Sequence, residues 1–217
     1  MKQFVVIGLG NFGFSVATRL AQIGHEVLAI DSDEARIESI KDRVTQAVVG
    51  DARDKTVLDD LVSTSVDAVI VSLGDSIEAS LLSVLHLKGL GIKRVIAKAA
   101  GEDHGRILES IGASEVIYPE RDAAIMVAEK LSAATAVLDY IALSPEYSII
   151  DVATPDSFIG KTLKQLHLPS KHGILVIAVK DVLSNQMRIL PPPDYQFQPD
   201  SVITVIGRYA DLSKLTL

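Results

Sequence analysis

The apolar run Phe4-Val5-Val6-Ile7 ends directly in Gly8-Leu9-Gly10-Asn11-Phe12-Gly13, and Phe12 to Ile23 follows with Val16, Ala17, Leu20 and Ile23 near one face of a helix. A strand, a glycine turn and a helix in that order leave few folds open. Gly8 permits the tight turn, Gly10 lets the backbone approach a pyrophosphate, and Gly13 allows helix to pack closely on strand, so that amide groups at the helix N-terminus face phosphate oxygens. A next strand, Glu26 to Ile30, ends at Asp31, 18 residues after Gly13. A carboxylate there accepts hydrogen bonds from ribose hydroxyls and repels a 2′-phosphate, which favours NAD or an adenosine phosphate over NADP. The bland readings are a degenerate nucleotide fold with an empty crevice, or Asp31 as a helix cap for the following turn.

Further short apolar runs occur at Gln46 to Val49, Ala68 to Ser72, Arg94 to Ala97 and Glu115 to Tyr118, with helical patterns at Asp54 to Leu61, Ile77 to Leu87 and Glu102 to Ile111. Near-continuous apolarity suits parallel strands covered on both faces. The alternation predicts an α/β, Rossmann-like, doubly wound parallel sheet. Of the 14 Gly, 11 lie at or before Gly112, whereas seven of the 8 Pro lie at or after Pro145. A second unit of different build is implied, a small α+β domain with strands at Ser148 to Val152, Ile174 to Val179 and Val202 to Ile206, a short helical segment at Gly160 to Leu166, and a rigid turn at Pro191-Pro192-Pro193. The expected division is 1–120, a connector 121–143, and 144–217. Within the connector, Ala123 to Leu138 reads as a helix apolar nearly all round, which must be buried. A partner subunit or its own domain would cover it.

Composition narrows the function. The net charge is −7, aromatic residues make up 5% and Trp is absent. Nucleic-acid binders need a basic excess and stacking faces, so that class is excluded. The chain has no Cys, hence no disulfide, thiolate metal site or cysteine nucleophile, which fits a reducing, cytoplasmic setting. No apolar stretch of about 18 residues reads as a membrane span. His25, His86, His104, His167 and His172 are scattered without triad or metal spacing, and packing or surface roles suit each of them. The sequence is equipped to hold a nucleotide and short of parts to transform it.

Loops after the other strands should line the same crevice. Gly50-Asp51-Ala52 follows the third strand, Gly74-Asp75 the fourth, and Lys98 the fifth. Asp51 either meets the adenine side or serves as a turn carboxylate. Lys98 either meets a phosphate or is a solvated lysine. With Asn11 and Phe12 in the glycine loop and Ser32 beside Asp31, these residues complete the expected nucleotide-binding set.

Ile7-Gly8-Leu9-Gly10-Asn11-Phe12-Gly13, Val27-Leu28-Ala29-Ile30-Asp31, Val48-Val49-Gly50-Asp51-Ala52, Ile77-Glu78-Ala79-Ser80, Ile111-Gly112-Ala113 and Tyr118-Pro119-Glu120-Arg121-Asp122 together resemble the Trk/Ktr potassium-uptake regulatory proteins, which carry an RCK (KTN) nucleotide-binding domain and a small C-terminal RCK domain. Gly160-Lys161-Thr162-Leu163 and Val202 to Gly207 extend the resemblance over the second unit. It implies a non-catalytic cytosolic gating subunit, dimeric and often an octameric ring beneath a membrane potassium channel or transporter. It also implies an adenine nucleotide as ligand, ATP or ADP as in Ktr-type systems or NAD(H) as in Trk-type ones. Ktr-type relatives commonly place Arg where this chain has Asn11, which leaves Lys98 as the phosphate contact. Glu120 matches the acidic position that some members use for a divalent cation, with a helix N-terminal carboxylate as the bland reading. Several relatives bind cyclic di-AMP in the C-terminal domain, but Leu168 to Gly173 here lacks the expected arginine.

Overall fold

The computed structural model describes residues 1–74, 76–132, 137–144 and 146–216. Its first unit, Met1–Arg121, is built on β1 (Gln3–Ile7), β2 (Glu26–Asp31), β3 (Gln46–Val49), β4 (Ala68–Val71), β5 (Val95–Lys98) and β6 (Glu115–Ile117). All pair in parallel, in the order β3-β2-β1-β4-β5-β6. Between them run α1 (Asn11–Gln22), α2 (Glu34–Ile40), α3 (Lys55–Leu61), α4 (Ile77–Gly89) and α5 (Glu102–Ser110). Successive strand side chains point to opposite faces, and along the inner strands β1, β2, β4 and β5 both faces are covered. Val5, Ile7, Val69 and Val71 pack with Leu58 of α3, Leu87 of α4 and Leu108 of α5. Val6, Val27, Ala29 and Ile70 pack with Ala17 of α1 and with Ile37 and Ile40 of α2. That double cover is why the strands read as unbroken apolar runs.

Polar caps set the helix starts. Asp33 Oδ1 accepts from Ala35 N at 2.9 Å, Asp54 Oδ1 from Thr56 N at 2.8 Å and Ser76 Oγ from Ala79 N at 3.3 Å. Each satisfies a helix N–H that has no intrahelical acceptor. The sheet order reverses between β1 and β4, so the loops at their carboxyl ends part and open a crevice.

The second unit, Asp122–Leu217, holds β7 (Val137–Ala142), β8 (Tyr147–Ala153), β9 (Ile174–Asp181), β10 (Met187–Ile189) and β11 (Ser201–Arg208). They form an antiparallel sheet in the order β10-β9-β11-β8-β7. Alternate residues of β8 and β11 face a core of Ile150, Val152, Phe158, Leu168, Phe197 and Ile203. The expected segment at Gly160 to Leu166 is helical only over Leu163–Leu166, where Thr162 and Gln165 form a reciprocal cap. The proline run turns as expected, with Tyr195 N–H donating to Pro192 O at 2.9 Å.

The connector departs from expectation. A helix spans Pro119–Ser132, but Val137 and Leu138 belong to β7; residues 133–136, also inside the expected helix, lie outside the described ones. Val137 faces Val152 and Ile141 faces Ile149 across the β7–β8 ladder, a long-range pairing that overrides the local Ala-rich pattern. Nor is the helix buried within the chain: Ile125, Met126 and Val127 are about half exposed and Leu131 is 80% exposed.

Candidate functional site

The glycine turn is fixed by contacts that leave no room for a side chain. Gly8 has φ +89°, and a Cβ on it would stand 2.5 Å from Ser72 O, where β4 ends beside β1. A Cβ on Gly13 would stand 1.9 Å from Gly8 O, so the first turn of α1 lies directly on the glycine turn. Gly10 is the opposite case. It caps α1 with no side-chain hydrogen bond, and nothing lies within 4 Å of where its Cβ would be. Gly10 thus leaves space beside the first turn of α1, whose leading N–H groups lack intrahelical acceptors and carry the positive end of the helix dipole. Asn11 is exposed in that first turn, and Phe12 is half buried against the core on the α1 side of the sheet.

Asp31 is only 6% exposed. Its Oδ2 accepts from Leu9 N at 2.6 Å and its Oδ1 from Asp33 N at 2.9 Å, while Arg36 Nη1 lies 3.4 Å from Oδ2. A carboxylate has about four acceptor positions, so capacity is left for a ligand hydroxyl. The cap of α2 is Asp33, which removes that role from Asp31. Asp31, Ser32, Asp51 and Ala52 join Gly8 in lining a cleft of about 220 Å³. Ser32 is exposed on its rim, and Ala52 is buried, its carbonyl accepting from Ser83 Oγ at 3.0 Å.

Asp51 is not simply a turn carboxylate. Its Oδ1 accepts from Arg53 N at 2.9 Å and its Oδ2 from Arg53 Nη2 at 2.6 Å, and these bonds hold its carboxyl below the usual range. Arg53 also lines the cleft, as does Ser76. Neither was expected as a site residue. The available signal for Arg53 was the spacing Asp51-Ala52-Arg53, which carries no known recognition pattern.

At the other end of the crevice a Cβ on Gly74 would stand 3.2 Å from Lys98 Cε, so Lys98 crosses the end of β4 from β5. Asp75 lies outside the described residues. Lys98 Nζ is paired with the Glu120 carboxylate, which this ammonium holds below the usual range. Among the described residues no group of three or more His, Asp or Glu side chains gathers as a metal centre, and Glu120 faces a cation already.

Of the histidines, His104 takes the packing role expected of it. It is buried, its Nδ1 accepts from Ala100 N at 3.1 Å, and burial holds its imidazole below the usual histidine range. With a lowered folded-state value, the unfolded chain takes up the proton first as pH falls. His104 thus contributes stability that is complete above about pH 6.5 and is lost as pH falls from there toward the folded-state value. In a His104→Gln chain, whose amide oxygen can still accept from Ala100, thermal melts between about pH 7 and pH 5 are expected to show a shallower decline than wild type. An equal or steeper decline would remove His104 as its source.

No helix among the described residues is long and apolar enough to cross a membrane. The chain matches the TrkA-N domain over residues 4–119 and the TrkA-C domain over residues 148–216. It is 36% identical over 213 residues to the Ktr system potassium uptake protein C of Bacillus subtilis, covering 98% of this chain and 95% of that one. With the Ktr system potassium uptake protein A of the same organism it shares 35% identity, over the same fractions. Among solved structures, the GsuK RCK domain superposes with a TM-score of 0.66 over 99% of this chain at 19% identity, and this chain spans 47% of it. The GsuK channel bound to NAD gives 0.65 over 100% of this chain, at 19% identity and 39% of that protein's length. At that identity the likeness concerns the fold. The match to both domains, in order, and the near-full-length identity to the Bacillus proteins establish that this chain belongs to the TrkA-N/TrkA-C family, alongside the Ktr system potassium uptake proteins.

Proposed function

We propose that the chain is a non-catalytic regulatory subunit of a potassium uptake system, binding an adenine nucleotide in the crevice of its first unit and transmitting the bound state to a membrane potassium channel or transporter. The observation that carries this reading is the open N-terminus of α1 at Gly10, seated where the sheet order reverses and flanked by the buried carboxylate of Asp31. The residues suit the ligand. The leading N–H groups of α1 would meet phosphate, Asp31 the ribose, and Lys98 a further phosphate oxygen on exchanging partner from Glu120. The last step leaves Glu120 free to join a divalent cation.

The ligands of structural neighbours fit the same class. One GsuK structure holds NAD, and a Kef C-terminal domain from Shewanella denitrificans holds AMP. The open apolar face of the helix Pro119–Ser132 supports self-association to a dimer; an octameric ring of such dimers at the inner face of the plasma membrane belongs to the same proposal. A nucleotide shifts gating only if it binds two arrangements of that assembly with different affinity.

Calorimetric titration with ATP, ADP, AMP, NAD and NADH tests the site and ranks the ligands. Asp31→Ala is expected to weaken every ligand bound by wild type, by tenfold or more, about 1.4 kcal/mol. It removes both the ribose acceptor and the anchor of Leu9 N–H. Equal affinities in the pair would remove the Asp31 assignment. Potassium flux through the cognate transporter should respond to nucleotide only when this chain is present. Flux indifferent to both, or sustained turnover of NADH with a small substrate, would overturn the regulatory reading.

A further inference from the structure

The geometry points to Arg53 as the residue that recognises the nucleotide base, by stacking, with Asp51 as the positioning residue that holds it flat. This rests on the nucleotide reading above and goes on to say how the base is read. In a sheet of this order a nucleotide running outward from Gly10 passes its ribose at the end of β2 and brings its base to the end of β3. The loop leaving β3 carries Asp51 and Arg53, and both line the cleft together with Ile30 and Asp31.

The guanidinium is held by its edge. Arg53 Nε lies 3.0 Å from each Asp51 oxygen and Nη2 lies 2.6 Å from Oδ2, while Arg53 N–H bonds Oδ1 at 2.9 Å. This forked contact between two planar groups fixes the plane of the guanidinium. Three consequences follow. Three Arg53 N–H groups take up acceptor positions on Asp51, so its carboxylate serves chiefly to hold the guanidinium. The pair is neutral overall, which makes it a poor anchor for phosphate. With the Nε/Nη2 edge consumed, the exposed guanidinium offers a ligand its faces beside its outer N–H groups, and a flat cation is a stacking surface for a heterocyclic base. Stacking reads the face of a ring and tolerates changes on its edge.

The test titrates wild type, Arg53→Ala, Arg53→Lys and Asp51→Asn with AMP and with inosine monophosphate, whose purine differs on the edge. Arg53 is exposed in a loop, so its variants should keep the wild-type thermal midpoint, measured alongside. Arg53→Ala is expected to lose about tenfold in affinity for both nucleotides alike, the size of one base–cation stack. Arg53→Lys should fail to restore it, because lysine keeps the charge and loses the plane. Asp51→Asn should fall between wild type and Arg53→Ala. Unchanged affinity in Arg53→Ala, full rescue by lysine, or loss confined to AMP would each overturn the stacking role while leaving the nucleotide reading intact. A wild-type chain that binds no nucleotide at all would overturn both.

Discussion

Gly13→Ala is expected to destabilise the first unit by about 3 kcal/mol or more and to abolish nucleotide binding. The new methyl would sit 1.9 Å from Gly8 O and 3.2 Å from Ser72 Cβ. Overpacking usually costs about 1–3 kcal/mol because flexible side chains give way, but here the obstructing atom is backbone. Gly8 cannot retreat easily. Its N–H is bonded to Ile30 O at 2.8 Å, and its own α-carbon faces Ser72 O across the sheet. Relief must come from lifting α1 off β1, which separates Ala17 from Val6 and Ala29 in the core. Thermal unfolding followed by circular dichroism measures the loss, and calorimetry the binding. Gly10→Ala is the control, since its methyl meets nothing within 4 Å. It should cost under about 1 kcal/mol of stability and still weaken a phosphate-bearing ligand, by occupying the space beside the helix N-terminus. A stable, binding-competent Gly13→Ala chain would refute the close packing of turn on helix.

Phe197→Ala should be the most damaging single change in the second unit, at about 3–5 kcal/mol. Phe197 is fully buried, its ring meets Phe158 at 5.8 Å and Tyr195 at 5.6 Å between centroids, and its backbone bonds Gly160 N and Lys161 O. A unit of this size has total stability on the order of 5–10 kcal/mol, so much of it would go. Hydrogen exchange is expected to rise across β8, β9 and β11 while β1, β2 and β4 stay protected, because the cores share no residues. Uniform loss of protection over the whole chain would show instead that the two units unfold as one.

The inner strands of the parallel sheet were legible to within a residue or so because burial on both faces writes an unbroken apolar run, and the glycine turn because its spacing is a steric requirement. Where stability comes from a distant partner, legibility ended. The three residues of β10 are all exposed and gain their state only from pairing with β9. The strand β7 borrows its state from β8 in the same way. The helix α2 was anticipated only as a turn for Asp31 to cap, without bounds of its own, since seven residues with two buried isoleucines make a weak pattern. At the site, the position of Asp31 followed from strand length, but its bond to Leu9 did not, because a backbone N–H leaves no mark in sequence. Arg53 was overlooked for a related reason. A side chain that presents a flat face needs no particular spacing, and only the clamp seen in three dimensions singles it out.

The 2.6 Å bond from Leu9 N–H to the Asp31 carboxylate ties the end of β2 to the middle of the glycine turn. The sugar end and the phosphate end of the crevice are thereby one mechanical part. Their contributions to affinity should not add: a double-mutant cycle between Asp31→Ala and Gly10→Ala should show coupling, whereas Asp31→Ala and Lys98→Ala, set on opposite sides of the switch point, should come close to additive. The crevice then behaves as a rigid jaw on the β1–β2 side facing an adjustable one at Lys98, and a ligand's length, more than its sugar, decides how far the adjustable side must move.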